Sequence, residues 1–191
     1  MIFSAVASML TLFVGWMIFA LPATWSLGNG IRPGLEPLTL DEAVEALRQR
    51  GLTGATLIEE ARKLVITRMQ YCRRNSFDTT RTAFRRGYGY CQQQAFALAY
   101  ILQRFGFEAK VVHAFRNRFP DGSGGGHAWV RLRFDGITKD IDATHVDVGS
   151  DILTFTPLTK VRDYSTLFRY FAGWGSIGVN AYRYYRTGKD K

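Results

Sequence analysis

Apolar and polar positions divide the chain into a long apolar opening, a group of helical segments and a later run of strand-like alternation. Phe3 to Leu21 is almost wholly apolar, and no charged side chain occurs between Met1 and Gly30. A helix of that length spans about 28 Å, close to the hydrocarbon core of a bilayer. Pro22 is expected to end it, and Trp25 to fall at the membrane interface. The favoured reading is an uncleaved transmembrane or signal-anchor helix over residues 1–27, joined by a linker over 28–38 that is rich in Gly and Pro. A cleaved signal peptide is the rival, and would make the rest of the chain secreted or periplasmic. Against it stand an n-region without Lys or Arg, the length of the run, and the lack of a closing Ala-x-Ala. Basic residues follow the span and none precedes it, a weak positive-inside lean to a cytoplasmic domain.

Thr39-Leu40-Asp41-Glu42 matches a capping box, and Leu40, Val44 and Leu47 give the helix after it one apolar face, closed by Gly51. Thr56-Leu57-Ile58-Glu59 reads as a second box opening a longer helix towards Tyr71. Cys72 to Arg86 is polar and basic, a loop or short broken helix whose arginines either hold a substrate carboxylate or are simply solvated. Beyond Cys91, Leu98, Ile101 and Leu102 recur at helical spacing until Gly106. Glu108 to Phe115 reads as a strand. Arg116 to Gly126 reads as a loop, with a turn at Pro120-Asp121-Gly122 and three glycines before His127. His127 to Phe134 and Ile137 to Ala143 are strands joined by Asp135-Gly136, a strong hairpin signal. A further strand is expected around Leu153 to Phe155. The aromatic and arginine-rich residues 161–191, from Tyr164 through Phe168, Phe171, Trp174 and Tyr182 to Tyr185, read either as a core-packing extension or as a membrane-surface segment.

Composition narrows this picture little. The 191 residues allow one domain with a proper core, and 47% hydrophobic content argues against overall disorder. The net charge of +9, carried mostly by arginine, would attract anionic lipid, nucleic acid or acidic peptide. Two cysteines, Cys72 and Cys91, make no disulfide framework, and neither Cys-x-x-Cys nor His-x-x-x-His spacing is present.

Chemistry enters with Gly87-Tyr88-Gly89-Tyr90-Cys91-Gln92-Gln93-Gln94. Cys91 falls at the start of a helix, where unpaired N–H groups and the positive end of the dipole favour a thiolate; a lone cysteine there is otherwise a small core residue. The hairpin supplies partners. A two-residue turn pairs Phe134 with Ile137, Trp129 with Asp142 and His127 with Thr144, so His127, Trp129, Asp140, Asp142 and Thr144 share one face. Asp142 is then a diagonal neighbour of His127, about 7–8 Å away between Cα atoms. A nucleophile, a base and an orienting carboxylate in that arrangement are what thiol acyl transfer needs.

The residues Gly89-Tyr90-Cys91 with their helix, the passage Phe105-Gly106-Phe107-Glu108-Ala109-Lys110-Val111-Val112, Gly126-His127-Ala128-Trp129-Val130 and Lys139-Asp140-Ile141-Asp142-Ala143-Thr144 together resemble the transglutaminase-like domains of the papain-like cysteine hydrolase group. The resemblance runs from about Cys72 to Asp147. It implies an α+β fold with a nucleophile helix on an antiparallel sheet, over residues 39–160. It also implies Cys91 as nucleophile, His127 as general base and acid, Asp142 as orienter, and a thioester intermediate passed to water or an amine. The oxyanion-hole glutamine of papain-like enzymes precedes the cysteine, and here Arg85 stands near that place; Gln92, Gln93 and Gln94 follow the cysteine and do not fit by spacing. His113 and His145 lie off the motif and are read as structural. The expected activity is a cysteine-dependent amide hydrolase or acyltransferase on a peptide or protein substrate, with the N-terminal helix as membrane contact. No cofactor, metal or nucleic acid is expected, and the oligomeric state is open. The alternatives are a non-catalytic, membrane-associated binding module with a basic surface, and a zinc hydrolase using Cys91, His127 and Asp142.

Overall fold

The computed structural model describes residues 2–25, 30, 38–75, 78–144 and 153–188. The chain folds as α+β. After α1 (Ile2–Trp25) come α2 (Leu40–Gln49) and α3 (Gly54–Arg68). Two-residue strands β1 (Gln70–Tyr71) and β2 (Tyr88–Gly89) pair in parallel around α4 (Thr80–Arg86). Next are α5 (Cys91–Arg104) and the long strands β3 (Glu108–Arg118) and β4 (Gly124–Phe134), with β5 (Ile137–Ile141) returning beside β4. The short β6 (Thr156–Pro157) and β7 (Arg162–Asp163) both add to the free edge of β3, and α6 (Thr166–Thr187) follows. Every pairing in the larger sheet is antiparallel.

Helix α5 is the centre of the fold. Its Leu98, Ile101 and Leu102 are fully buried against Ala109, Val111, Val130 and Leu132 of β3 and β4, while α2, α3 and α4 close over its other side. Each such side chain contributes roughly 1.5–3 kcal/mol on burial. Val112, Ala114, Trp129 and Phe155 form a second, smaller cluster. Hairpin β4–β5 turns at Asp135 (φ 50°) and Gly136 (φ 76°), the two left-handed residues of a type I′ turn, and Phe134 pairs with Ile137 as expected.

Several expectations need correction. Helix α1 continues through Pro22 to Trp25. Among the described residues no helix is long and apolar enough to cross a membrane, so the expected crossing is not part of the described structure. The expected linker lies outside the described residues except for Gly30 and Leu38. Helix α3 begins at Gly54 behind Thr53, not at Thr56. Thr56 and Glu59 therefore lie inside the helix, where the Glu59 carboxylate pairs with Arg62 at 3.1 Å. The long loop before His127 shrinks to Phe119–Ser123, because β3 runs on to Arg118 and the three glycines open β4. Asn117 makes this possible: its side-chain amide donates to the carbonyls of Ala114 and Gly125 across a bulge in the ladder. The strand expected at Leu153–Phe155 is absent; Phe155 packs on Trp129, and pairing begins only at Thr156.

The aromatic tail is helix α6. Ser165 caps it, and Arg169 fastens it to the body by donating to Thr80 Oγ1 (2.6 Å) and to the Asp78 carbonyl (3.0 Å). Asn180 adds a bond to the Arg73 carbonyl at 2.7 Å. On its other side α6 packs on α1, with Trp16 against Ile177 and Ala181. Only glycine fits at Gly178, where a Cβ would lie 2.5 Å from Trp16 Nε1.

Candidate active site

Gly87 ends α4 in the left-handed conformation (φ 81°), β2 runs for two residues, and α5 starts at Cys91 with Tyr90 as its N-cap. The first-turn amides of α5 therefore have no acceptor within the helix. Gln93 Oε1 accepts one upstream N–H, that of Tyr90, at 3.0 Å. Gly89 lies closely packed beneath this corner, and a Cβ there would displace the end of the Met69 side chain.

Cys91, His127 and Asp142, which lie far apart in sequence, are brought together and buried. His127 Nε2 donates to Asp142 Oδ1 at 3.2 Å, and Cys91 is the ring's other hydrogen-bond partner. Burial alone would keep this ring neutral. The Asp142 hydrogen bond, the Cys91 contact and the negative charge of both partners outweigh it and raise the His127 pKa to about 10. Asp142 is itself fixed: Oδ1 accepts from the Thr144 N–H at 3.0 Å and from the Thr144 hydroxyl at 2.9 Å. Arg62, buried on α3, donates to the Asp142 carbonyl at 3.5 Å. The β4–β5 ladder ends at Val130–Ile141, so Asp142 and Thr144 lie just past the strand. The ring of His127 is packed edge-on to Phe155 (4.6 Å) and Phe119 (5.6 Å), which sets its plane.

Three tyrosines surround the cysteine, and each has its pKa raised. For Tyr90 the Cys91 charge is the first cause and burial the second; for Tyr71 and Tyr164 burial comes first. All three hydroxyls therefore keep their protons at neutral pH. Tyr164 donates to Gln92 Oε1 at 2.8 Å, fixing the side chain next to the nucleophile position. A cleft of about 130 Å³ opens beside Cys91 and His127, and the Phe168–Ala172–Ser176 face of α6 forms one side.

Other sequence candidates are placed elsewhere. Arg85 is exposed on α4 and does not line the cleft, nor do Arg73, Arg74, Arg81 or Arg86. Arg74 lies over the Tyr184 ring at 3.9 Å, and Arg86 pairs with Asp78 at 3.0 Å. Gln93 and Gln94 are buried supports: Gln93 donates to the carbonyls of Asn75 and Asp78, and Gln94 to that of Met69. His113 does line the cleft, and burial followed by the nearby Arg162 charge lowers its pKa. Cys72 is buried and in no disulfide among the described residues. His145 lies outside the described residues. The sequence reading missed Arg62 and the Gln92–Tyr164 pair. Arg62 carried a signal, an arginine on the Ile58–Val65 apolar stripe of α3; the pair carried none.

The transglutaminase-like superfamily matches residues 43–139, half of the 191-residue chain, and the chain belongs to that superfamily. The matched span includes Cys91 and His127 and ends three residues before Asp142. No curated protein matches the chain.

Proposed function

We propose that the protein is a cysteine-dependent hydrolase or acyltransferase acting on an amide or ester carbonyl, with Cys91 as nucleophile, His127 as acid and base, and Asp142 as orienter. The observation that carries this is the buried cluster of Cys91, His127 and Asp142, with His127 Nε2 3.2 Å from Asp142 Oδ1 and Cys91 beside the same ring. Cys91 Sγ, as thiolate, attacks the carbonyl carbon. The Cys91 N–H at the start of α5 stabilises the resulting oxyanion. The Nδ1 proton of His127 passes to the leaving nitrogen or oxygen as its bond to carbon breaks, leaving a thioester. Neutral His127 then takes a proton from the incoming water or amine, which attacks the thioester and frees the thiolate, with the proton restored to the ring. Asp142 holds Nε2–H throughout, so Nδ1 always faces the sulfur.

Turnover of 4-nitrophenyl acetate by the full chain tests this. Cys91→Ala and His127→Ala should each abolish it with the far-ultraviolet dichroism unchanged. Iodoacetamide at neutral pH should label Cys91 well before Cys72. Turnover surviving in Cys91→Ala, or equal slow labelling of both thiols, would sink the assignment.

A second proposal concerns α1. Its Val6, Met9, Leu10, Leu12, Phe13 and Ile18 are all exposed, and α6 adds Leu167 and Phe171. A helix apolar on all sides requires an apolar surrounding, and lipid anchorage through α1 supplies one. Vesicle flotation of the full chain should succeed and should be lost in a Leu12→Glu, Phe13→Glu variant; equal flotation of both would refute anchorage.

A further inference from the structure

The cleft wall facing the sulfur is built from four rings. His113 stacks on Phe168 with centroids 4.9 Å apart, meets Phe115 edge-on at 5.0 Å, and lies 4.7 Å from Tyr164. Phe115 and Phe168 close the set edge-to-face at 5.7 Å. Each ring is held from a different direction. His113 sits between the pairings of β3 with β4 and β7. Tyr164 is tied at both ends, its N–H to the Val111 carbonyl (2.8 Å) and its hydroxyl to Gln92. Phe168 lies in the capped first turn of α6, its N–H donating to Ser165 Oγ at 3.1 Å. Among the described residues no Lys, Arg, Asp or Glu lines the cleft.

Phe115 is 57% exposed at the mouth. An apolar cavity of about 150 Å³ holds benzene, so the roughly 130 Å³ here suits one ring or a short branched aliphatic chain. We propose that this aromatic wall is the acyl-group subsite, and that the acyl donor carries an uncharged apolar side chain, aromatic or branched aliphatic, next to the carbonyl that Cys91 attacks. The proposal rests on the nucleophile assignment above. It replaces the idea that arginines of residues 73–86 hold a substrate carboxylate, since none of them reaches the cleft.

The test compares 4-nitrophenyl acetate, 4-nitrophenyl 3-phenylpropanoate and the 4-nitrophenyl hemiester of succinate. Acylation rates of the full chain are normalised to hydroxide hydrolysis of each ester. The phenylpropanoate should acylate at least about tenfold faster than the acetate, the gain expected from burying one ring-sized group, and the succinate more slowly than either. Phe115→Ala should bring the phenylpropanoate-to-acetate ratio towards one; Phe115 is exposed enough that folding is not at stake. Phe115→Lys should raise the succinate rate relative to the other two. Equal normalised rates in the wild type, or a ratio that Phe115→Ala leaves intact, would overturn the subsite while leaving Cys91 as nucleophile. Failure of all three esters to acylate Cys91 would instead overturn the nucleophile assignment beneath it.

Discussion

Asp142→Asn isolates the part played by the carboxylate. The substitution keeps the shape of the side chain and leaves an oxygen to accept the Thr144 N–H, now made to Asp142 at 3.0 Å. It removes the charge that faces His127. Moving the His127 pKa from 6.5 to about 10 corresponds to roughly 5 kcal/mol favouring the protonated ring, at about 1.36 kcal/mol per pH unit. Four influences raise it against burial, the Asp142 and Cys91 hydrogen bonds and their two charges, and Asp142 supplies two of the four. Taking its share as about half gives roughly 2–3 kcal/mol, or on the order of 30- to 150-fold in the equilibrium constant that sets the population of the imidazolium–thiolate pair against the neutral pair. Iodoacetamide labelling of Cys91, followed by peptide mass mapping, reads that population because only the thiolate reacts. Labelling of Asp142→Asn should be slower than wild type, by up to about 100-fold at pH 7, with the melting temperature showing that the fold persists. Labelling within twofold of wild type would refute the claim that Asp142 sets the charge state of the pair.

Stability should follow the same group. A histidine whose folded pKa lies above its unfolded value stabilises the fold fully below pH 6.5, and that contribution is lost as pH rises through about 10. The melting-temperature gap between wild type and His127→Gln should therefore be widest near pH 6 and close above pH 10; a gap widening with pH would contradict the shift. Trp129 tests the small cluster behind the histidine. It is fully buried, and its indole N–H has no acceptor among the described residues. Trp129→Ala should cost about 3–5 kcal/mol in urea unfolding, and Trp129→Phe less than about 1.5 kcal/mol, since no hydrogen bond is lost with the N–H. Equal costs for the two would show that the indole nitrogen, not ring volume, matters there.

What could be read from the sequence was whatever local geometry dictates. Asp135-Gly136 demands two left-handed residues, so one dipeptide set the register that carries His127 and Asp142 to the same face. The helix start at Cys91 and the capping box at Thr39 were legible for the same reason. Long-range interactions hid the rest. The Gly124–Gly126 run reads as loop until the Asn117 side chain, eight residues before Gly125, ties it into the ladder. Helix α3 starts at Gly54 behind Thr53, whose side chain makes no capping bond, so no capping signature marks that start. The residues 161–191 were compatible with either core or membrane surface, and α6 presents both kinds of face, lining the cleft with Phe168 and Ala172 and exposing Leu167 and Phe171. No periodicity announces that Tyr164 reaches back 72 residues to Gln92.

The central claim, that Cys91 is a nucleophile driven by His127, is tested most directly by trapping the acyl intermediate. The full chain is mixed with 4-nitrophenyl 3-phenylpropanoate, quenched in acid within the first turnover, and digested for mass spectrometry. The account predicts one phenylpropanoyl group on the Cys91 peptide, lost on treatment with hydroxylamine as a thioester must be, and none on that peptide in His127→Ala. Acylation confined to lysine or tyrosine side chains, or equal acylation of Cys91 with and without His127, would contradict it.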